Sequence, residues 1–161
     1  RFLRGGDHTP YVQRGYAAVR FTEMNENYTR QHQNIRTENN IAFGDLEIHI
    51  DYEYLRKNTA MNLANLANLA KAPSVPDSVK MDVKKLSNST FLFWNKSKVG
   101  NVKGYYILIR ETTSAFWQKK IYTTSTSITL PYSKDNYFFA VQSVNDAGNE
   151  SLPVVPGISG R

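Results

Sequence analysis

The sequence has no cysteine, no long apolar run and only three histidines. Without cysteine, the 161-residue chain cannot form a disulfide scaffold, a thiolate zinc site or a cysteine nucleophile. No apolar run approaches the roughly 20 residues that a membrane-spanning helix needs, and no signal peptide is visible. The lack of cysteine leaves an oxidising and a reducing compartment equally open.

The net charge of +6 is carried mainly by the second half of the chain. Residues 1–71 hold nine Lys/Arg and eight Asp/Glu, whereas residues 72–161 hold eleven and six. The excess lysines are scattered rather than clustered, which is typical of a solvated surface. We therefore expect no nucleic-acid partner.

Two of the three histidines lie in polar segments beside short apolar runs. Residues 5–11 read Gly-Gly-Asp-His-Thr-Pro-Tyr and predict a loop, because glycines permit unusual backbone angles and the residue before a proline disfavours helix. Residues 17–22 predict a short, mostly buried strand. The next polar loop carries His32. Loops at the ends of buried elements often present functional side chains, so these two loops are candidates for a functional site.

A long helix is predicted to begin after Asp51, which is a suitable N-cap. Apolar residues recur at intervals of three and four from Leu55 to Ala70. The Asn-Leu-Ala near-repeat at residues 62–70 is not a sustained heptad, so we interpret the segment as a terminal helix that packs on a sheet rather than a coiled coil.

The motifs of the first half resemble those of one enzyme family. They are Gly-Asp-His-x-Pro-aromatic at residues 6–11, x-Gly-aromatic-x-Ala-Val at residues 14–19 before Phe-Thr-Glu, and a loop histidine ahead of a long helix. Together they resemble the C-terminal part of the catalytic domain of bacterial co-catalytic zinc aminopeptidases, which are related to glutamate carboxypeptidase-like exopeptidases. The resemblance covers about residues 1–71 and implies an α+β fragment of an α/β zinc-exopeptidase domain.

This resemblance also implies a set of site residues and a cofactor. His32 falls on the last zinc ligand, while Asp7, His8 and Tyr11 fall on the substrate pocket. The family uses two zinc ions to hydrolyse peptide or protein substrates. Its other ligands and its proton-accepting glutamate precede these motifs and are not in this chain. We therefore expect the C-terminal fragment of a longer enzyme, with one zinc ligand and no catalytic residue of its own.

Each of these residues also has a plainer interpretation. His32 could be a solvated loop histidine, and His8 could bond a backbone carbonyl. Asp7 could form an Asx turn, because aspartate after glycines often bonds its own backbone two residues on. Tyr11 could simply pack against its neighbours.

The second half predicts an all-β domain after a stiff, proline-containing linker at residues 72–78. Short strand-like runs separated by turns extend over residues 79–156, the pattern of a β-sandwich. The predicted strands are residues 79–83, 90–94, 105–109, 117–122, 127–130 and 137–144.

The same region resembles a fibronectin type III domain over about residues 75–155. Trp94 ends an early strand, Tyr137 stands at the position of the family's tyrosine corner, and residues 140–151 match the family's closing motif. Trp94, Phe93 and Tyr137 could form a carbohydrate-binding platform, but such residues more commonly fill the core of a sandwich.

Two functions of different classes are consistent with these features. The first is a zinc-dependent metallo-exopeptidase of the aminopeptidase type in the intact protein, secreted or periplasmic as the resemblance implies. The alternative is a non-catalytic secreted binding or adhesion module built on the sandwich, with a degenerate first half. A third possibility keeps the fold and the zinc but changes the reaction, as in glutaminyl cyclase-like relatives.

Overall fold

The computed structural model describes residues 5–84 and 86–159, and the chain forms two compact units that divide after Leu55. Residues 1–4 of the predicted first region lie outside the described residues. The helices are α1 (Thr9–Gln13) and α2 (Tyr52–Lys71), with short 3-10 turns at Tyr28–Arg30 and Glu47–His49. The strands are β1 (Arg36–Glu38), β2 (Ile41–Phe43), β3 (Asp77–Asp82), β4 (Thr90–Asn95), β5 (Gly104–Glu111), β6 (Lys119–Thr123), β7 (Ser127–Leu130), β8 (Tyr137–Val144) and β9 (Gly157–Ser159).

Two predictions for the first unit are wrong. Residues 9–13 form the short helix α1 rather than a loop, because Pro10 lies in the first turn, where its missing N–H removes no helical hydrogen bond. Residues 17–22 are mostly exposed and form no strand. An isolated strand leaves its backbone groups unpaired, and no described segment pairs with these residues.

The sheet of the first unit is a hairpin that the sequence analysis did not identify. β1 pairs antiparallel with β2, and Arg36 lies opposite Phe43. Asn39 and Asn40 connect the strands with φ angles of 50° and 61°. A two-residue hairpin turn needs two left-handed residues, and asparagine adopts this conformation more readily than most residues.

The predicted long helix is confirmed in α2 and in its N-cap. The Tyr54 N–H donates to Asp51 Oδ1 at 3.0 Å, which pairs one of the free donors of the first turn. No side chain of α2 is buried, and Leu63 and Leu66 are 64% and 65% exposed. Of the helices in the described ranges, none has the length and apolar character needed to cross a membrane.

The predicted sandwich is confirmed in the second unit. One sheet has the strand order β7-β4-β3-β9, with β9 parallel to β3, and the other has the order β6-β5-β8. Each predicted strand overlaps an observed one, because apolar residues alternate with polar ones between turn residues. β3 begins at Asp77, inside the segment predicted as a linker.

The sandwich core separates the three aromatic residues that were predicted together. Trp94 is buried and packs edge-on against Tyr105 at a centroid distance of 5.3 Å, and Tyr137 packs partly buried against the core. Phe93 is not a core residue: it is half-buried and stacks on Phe91. Side chains alternate along a strand, so Phe93 faces away when Leu92 and Trp94 face inward.

The segment that joins α2 to the sandwich is bonded along its length. Asn145 Nδ2 donates to the Lys71 carbonyl at 2.9 Å, and Asn149 Nδ2 donates to Asn68 Oδ1 at 2.8 Å. The Ser143 hydroxyl donates to the Ser74 carbonyl at 2.6 Å. These hydrogen bonds tie the C-terminal end of α2 and the following residues to the end of β8 and the turn after it.

Candidate functional site

The loop that carries His32 begins at a capped 3-10 turn. The Asn27 side chain accepts hydrogen bonds from the Thr29 N–H at 3.1 Å and from the Thr29 hydroxyl at 2.7 Å. This cap satisfies a donor at the start of the turn Tyr28–Arg30. Two residues later His32 is exposed, with a left-handed backbone at φ 55°. The imidazole is thus accessible on an irregular segment between the turn and strand β1.

Two hydrogen bonds fasten this loop to the segment that follows β2. The His32 N–H donates to Asp45 Oδ2 at 3.2 Å, and the Gly44 N–H donates to the Thr29 carbonyl at 3.0 Å. Gly44 is buried, and a Cβ at this position would lie 3.2 Å from Ile35 Cγ1. The close approach therefore favours glycine at residue 44.

The predicted pocket residues lie on and beside helix α1. His8 is the N-cap residue of α1 and is half-buried, and its Nδ1 has no hydrogen-bond partner among the described residues. Asp7 is exposed in the preceding turn, and Tyr11 is 60% exposed. A buried imidazole nitrogen without a partner is uncommon in folded proteins.

A polar cavity of about 450 Å³ lies in the first unit, and its lining includes none of the four predicted site residues. Its charged lining residues are Arg20, Glu23, Glu26, Arg30 and Asp45, and His49 also lines it. Within this lining Arg20 and Glu26 form an ion pair at 3.5 Å. Asp45 links the cavity to the His32 loop, because it lines the first and bonds the second.

The donor set for a metal is incomplete within the described residues. In residues 5–84 and 86–159 there is no cluster of three or more His, Cys, Asp or Glu side chains that could hold a metal ion. Catalytic zinc sites generally use three protein ligands and an open position. His32 can supply one such ligand, and the described residues alone cannot bind zinc in that way.

Sequence reasoning did not identify Asp45 or Gly44. Their local signal is a Gly-Asp pair directly after a short apolar run, which is typical of a turn at a strand end. Their role depends on the hairpin, which returns the chain from residue 36 to residue 43 and brings Gly44 against Ile35. This contact joins residues that are distant in sequence, so local patterns did not indicate it.

Comparison with known proteins gives relatives over nearly the whole chain. The chain is 43% identical over 157 residues to a probable zinc metalloprotease of Leptosphaeria maculans, a match that covers 97% of this chain and 36% of the relative. It is 40% identical over 157 residues to one of Pyrenophora teres f. teres and 39% identical over 162 residues to one of Pyricularia oryzae; each match covers 97% of this chain and 32% of the relative. The chain therefore spans about a third of the length of these curated relatives. No protein-family model matches it.

Solved structures of small β domains are also similar to part of the chain. A Fn3-like protein from Clostridium thermocellum has 19% identity and a TM-score of 0.45, over 56% of this chain and 97% of the other. An FN3 domain of human collagen XX has 19% identity and a TM-score of 0.40, over 52% of this chain and 88% of the other.

Proposed function

We propose that this chain is the C-terminal part of a secreted or periplasmic zinc-dependent metallo-exopeptidase of the aminopeptidase type. The observation that supports the proposal is the similarity to proteins named as probable zinc metalloproteases, which covers 97% of this chain and therefore extends over both units. The motifs around Asp7, His8 and His32 lie within the matched part. The remaining zinc ligands and the proton-accepting carboxylate would come from the rest of the longer protein.

In this proposal each residue has a defined task. His32 offers an exposed imidazole as a ligand, which suits zinc because zinc accepts neutral nitrogen donors. His8, which is half-buried, would contact the substrate, with the exposed Asp7 and Tyr11 beside it. Bound zinc supplies Lewis acidity and lowers the pKa of a water. The substrate would be a peptide or a protein with a free N-terminus.

Metal content and activity of the full-length protein test the zinc assignment. We expect about two zinc ions per chain, as in two-metal hydrolytic sites, and loss of peptidase activity with reduced zinc content in His32→Ala. Asn34→Ala is the matched control, because Asn34 is an exposed residue of the same loop. A protein without zinc or activity would refute the proposal and favour the binding-module alternative.

A pair of peptides tests the reaction class separately. A peptide with a free N-terminus should be shortened from that end, whereas the same peptide with an acetylated N-terminus should remain intact. Cleavage of the acetylated peptide at an internal bond would contradict the aminopeptidase type while keeping the metalloprotease. Recovery of the full-length protein from the culture medium or periplasm would support the proposed location, and recovery only from the cytoplasm would contradict it.

A further inference from the structure

We infer that Asp45 is a positioning residue, which fixes the backbone of the His32 loop so that the imidazole is held ready for a metal. The inference rests on the proposed function, because it takes His32 as a zinc ligand. It adds a residue that lies outside the motifs of the sequence analysis, thirteen positions further along the chain.

The first support is the backbone of His32 itself. Its φ of 55° lies in the left-handed region, which is unfavourable for residues with a Cβ. A conformation of this kind persists when surrounding groups hold it. The hydrogen bond from the His32 N–H to Asp45 Oδ2, at 3.2 Å, is the interaction that holds this peptide unit. A carboxylate makes stronger hydrogen bonds than a neutral acceptor does.

The second support is that Asp45 is itself anchored. The β1–β2 register places Phe43 opposite Arg36, so the chain returns beside the residues that precede β1. Gly44 then packs against Ile35 and donates its N–H to the Thr29 carbonyl at 3.0 Å. The Asp45 carboxylate therefore lies on a fixed segment beside the loop. Two hydrogen bonds hold the loop on either side of residue 31, one at the Thr29 carbonyl and one at the His32 N–H.

The predicted effect of Asp45 is on the position of the His32 side chain. Partners of metal-binding histidines commonly bond the second ring nitrogen and thereby orient the ring. Asp45 instead bonds the main chain of His32. It thereby restricts the position of the backbone from which the imidazole side chain extends. Loss of one net hydrogen bond corresponds to about a 2- to 13-fold change in an equilibrium constant, and we expect metal binding to weaken within this range.

The test combines amide exchange with zinc affinity. The exchange rate of the His32 amide is measured in the full-length protein by NMR, and zinc affinity is measured in the same protein by competition with a chelator. In Asp45→Ala we expect faster exchange of the His32 amide and zinc affinity reduced by about 2- to 13-fold. Asp45→Asn retains a side-chain carbonyl oxygen as acceptor and should restore most of both values.

The control is Glu23→Ala, which removes an exposed carboxylate from the same unit, outside the His32 loop and its hairpin. Unchanged exchange and affinity in Asp45→Ala would overturn the inference. An equal loss of affinity in Glu23→Ala would also overturn it, because the effect would then be one of charge. Zinc retained in His32→Ala would instead refute the ligand assignment of the proposed function, while faster exchange in Asp45→Ala would still support the holding role of Asp45.

Discussion

Asn145 offers a sharp test of how the end of α2 is held on the sandwich. Its side chain lies at the turn after β8 and makes two kinds of hydrogen bond. Its Nδ2 donates to the Lys71 carbonyl at 2.9 Å and, at 3.4 Å, to Asn149 Oδ1, while its Oδ1 accepts from the Asn149 N–H at 2.8 Å. The bond to Lys71 joins the turn to the helix, and the bonds to Asn149 close the turn itself. Two substitutions can therefore separate the two roles.

The expected magnitude follows from the number of bonds removed. A net hydrogen bond contributes about 0.5–1.5 kcal/mol to stability, so Asn145→Ala should lower the free energy of unfolding by about 1–3 kcal/mol. Asn145→Asp keeps an oxygen acceptor for the Asn149 N–H but loses the Nδ2 donor to the Lys71 carbonyl and to Asn149 Oδ1. Loss of the bond to Lys71, about 1 kcal/mol, should raise the population in which the helix end is detached roughly fivefold.

Limited trypsin digestion provides the assay, because Lys71 is followed by alanine and lies at the end of α2. Cleavage after Lys71 should be faster in both Asn145→Ala and Asn145→Asp, and urea denaturation should show the larger loss of stability in the alanine variant. Asp146→Ala is the matched control, since its side chain is exposed in the same turn. Equal cleavage rates in wild type, Asn145→Asp and the control would refute the reasoning.

Two further predictions concern the sandwich unit. Gly100→Ala should lower the free energy of unfolding by about 1–3 kcal/mol, because φ is +92° and a Cβ would lie 2.8 Å from Pro73 Cα; Gly148→Ala, with φ +82° and open space around the Cβ, should cost less in the same urea titration. The hydrogen bond from the Lys98 ammonium lowers the pKa of Asp77, so this bridge stabilises the fold above about pH 4 and is lost as the pH falls below it. The difference in Tm between wild type and Asp77→Asn should therefore be present at pH 7 and vanish at pH 2, and a difference independent of pH would contradict it.

The sandwich and α2 could be predicted from sequence because their signals are periodic and local. β4 alternates inward Leu92 and Trp94 with outward neighbours, and Asp51 caps a helix whose apolar residues recur every three or four positions. The prediction of a strand at residues 17–22 is wrong because strand formation depends on pairing with other segments. The composition of this segment suited a buried strand, but a strand also needs neighbours to pair with its backbone, and composition says nothing about neighbours.

In the candidate site, too, one residue could be predicted from the sequence and another could not. The histidine at residue 32 could be singled out by its motif, whereas the carboxylate that bonds it could not. That contact depends on a hairpin of two three-residue strands, turned by Asn39 and Asn40 in left-handed conformations. Paired asparagines are a turn signal, but strands this short and this exposed have almost no hydrophobic pattern.

The first unit also explains why one hydrogen bond can matter so much at residue 32. Among its described residues only Gly44 is buried, so turn geometry and hydrogen bonds, rather than an apolar core, determine the path of the chain there. In a well-packed core many contacts share the cost of an unfavourable backbone angle, and removal of one contact changes little. In the His32 loop the cost of the unfavourable backbone angle is offset by a few hydrogen bonds, made by Asp45, Gly44 and Arg36. Binding of a metal at His32 must provide any ordering of the loop that these hydrogen bonds do not provide. We therefore expect loss of the Asp45 hydrogen bond to lower metal affinity more than the free energy of unfolding.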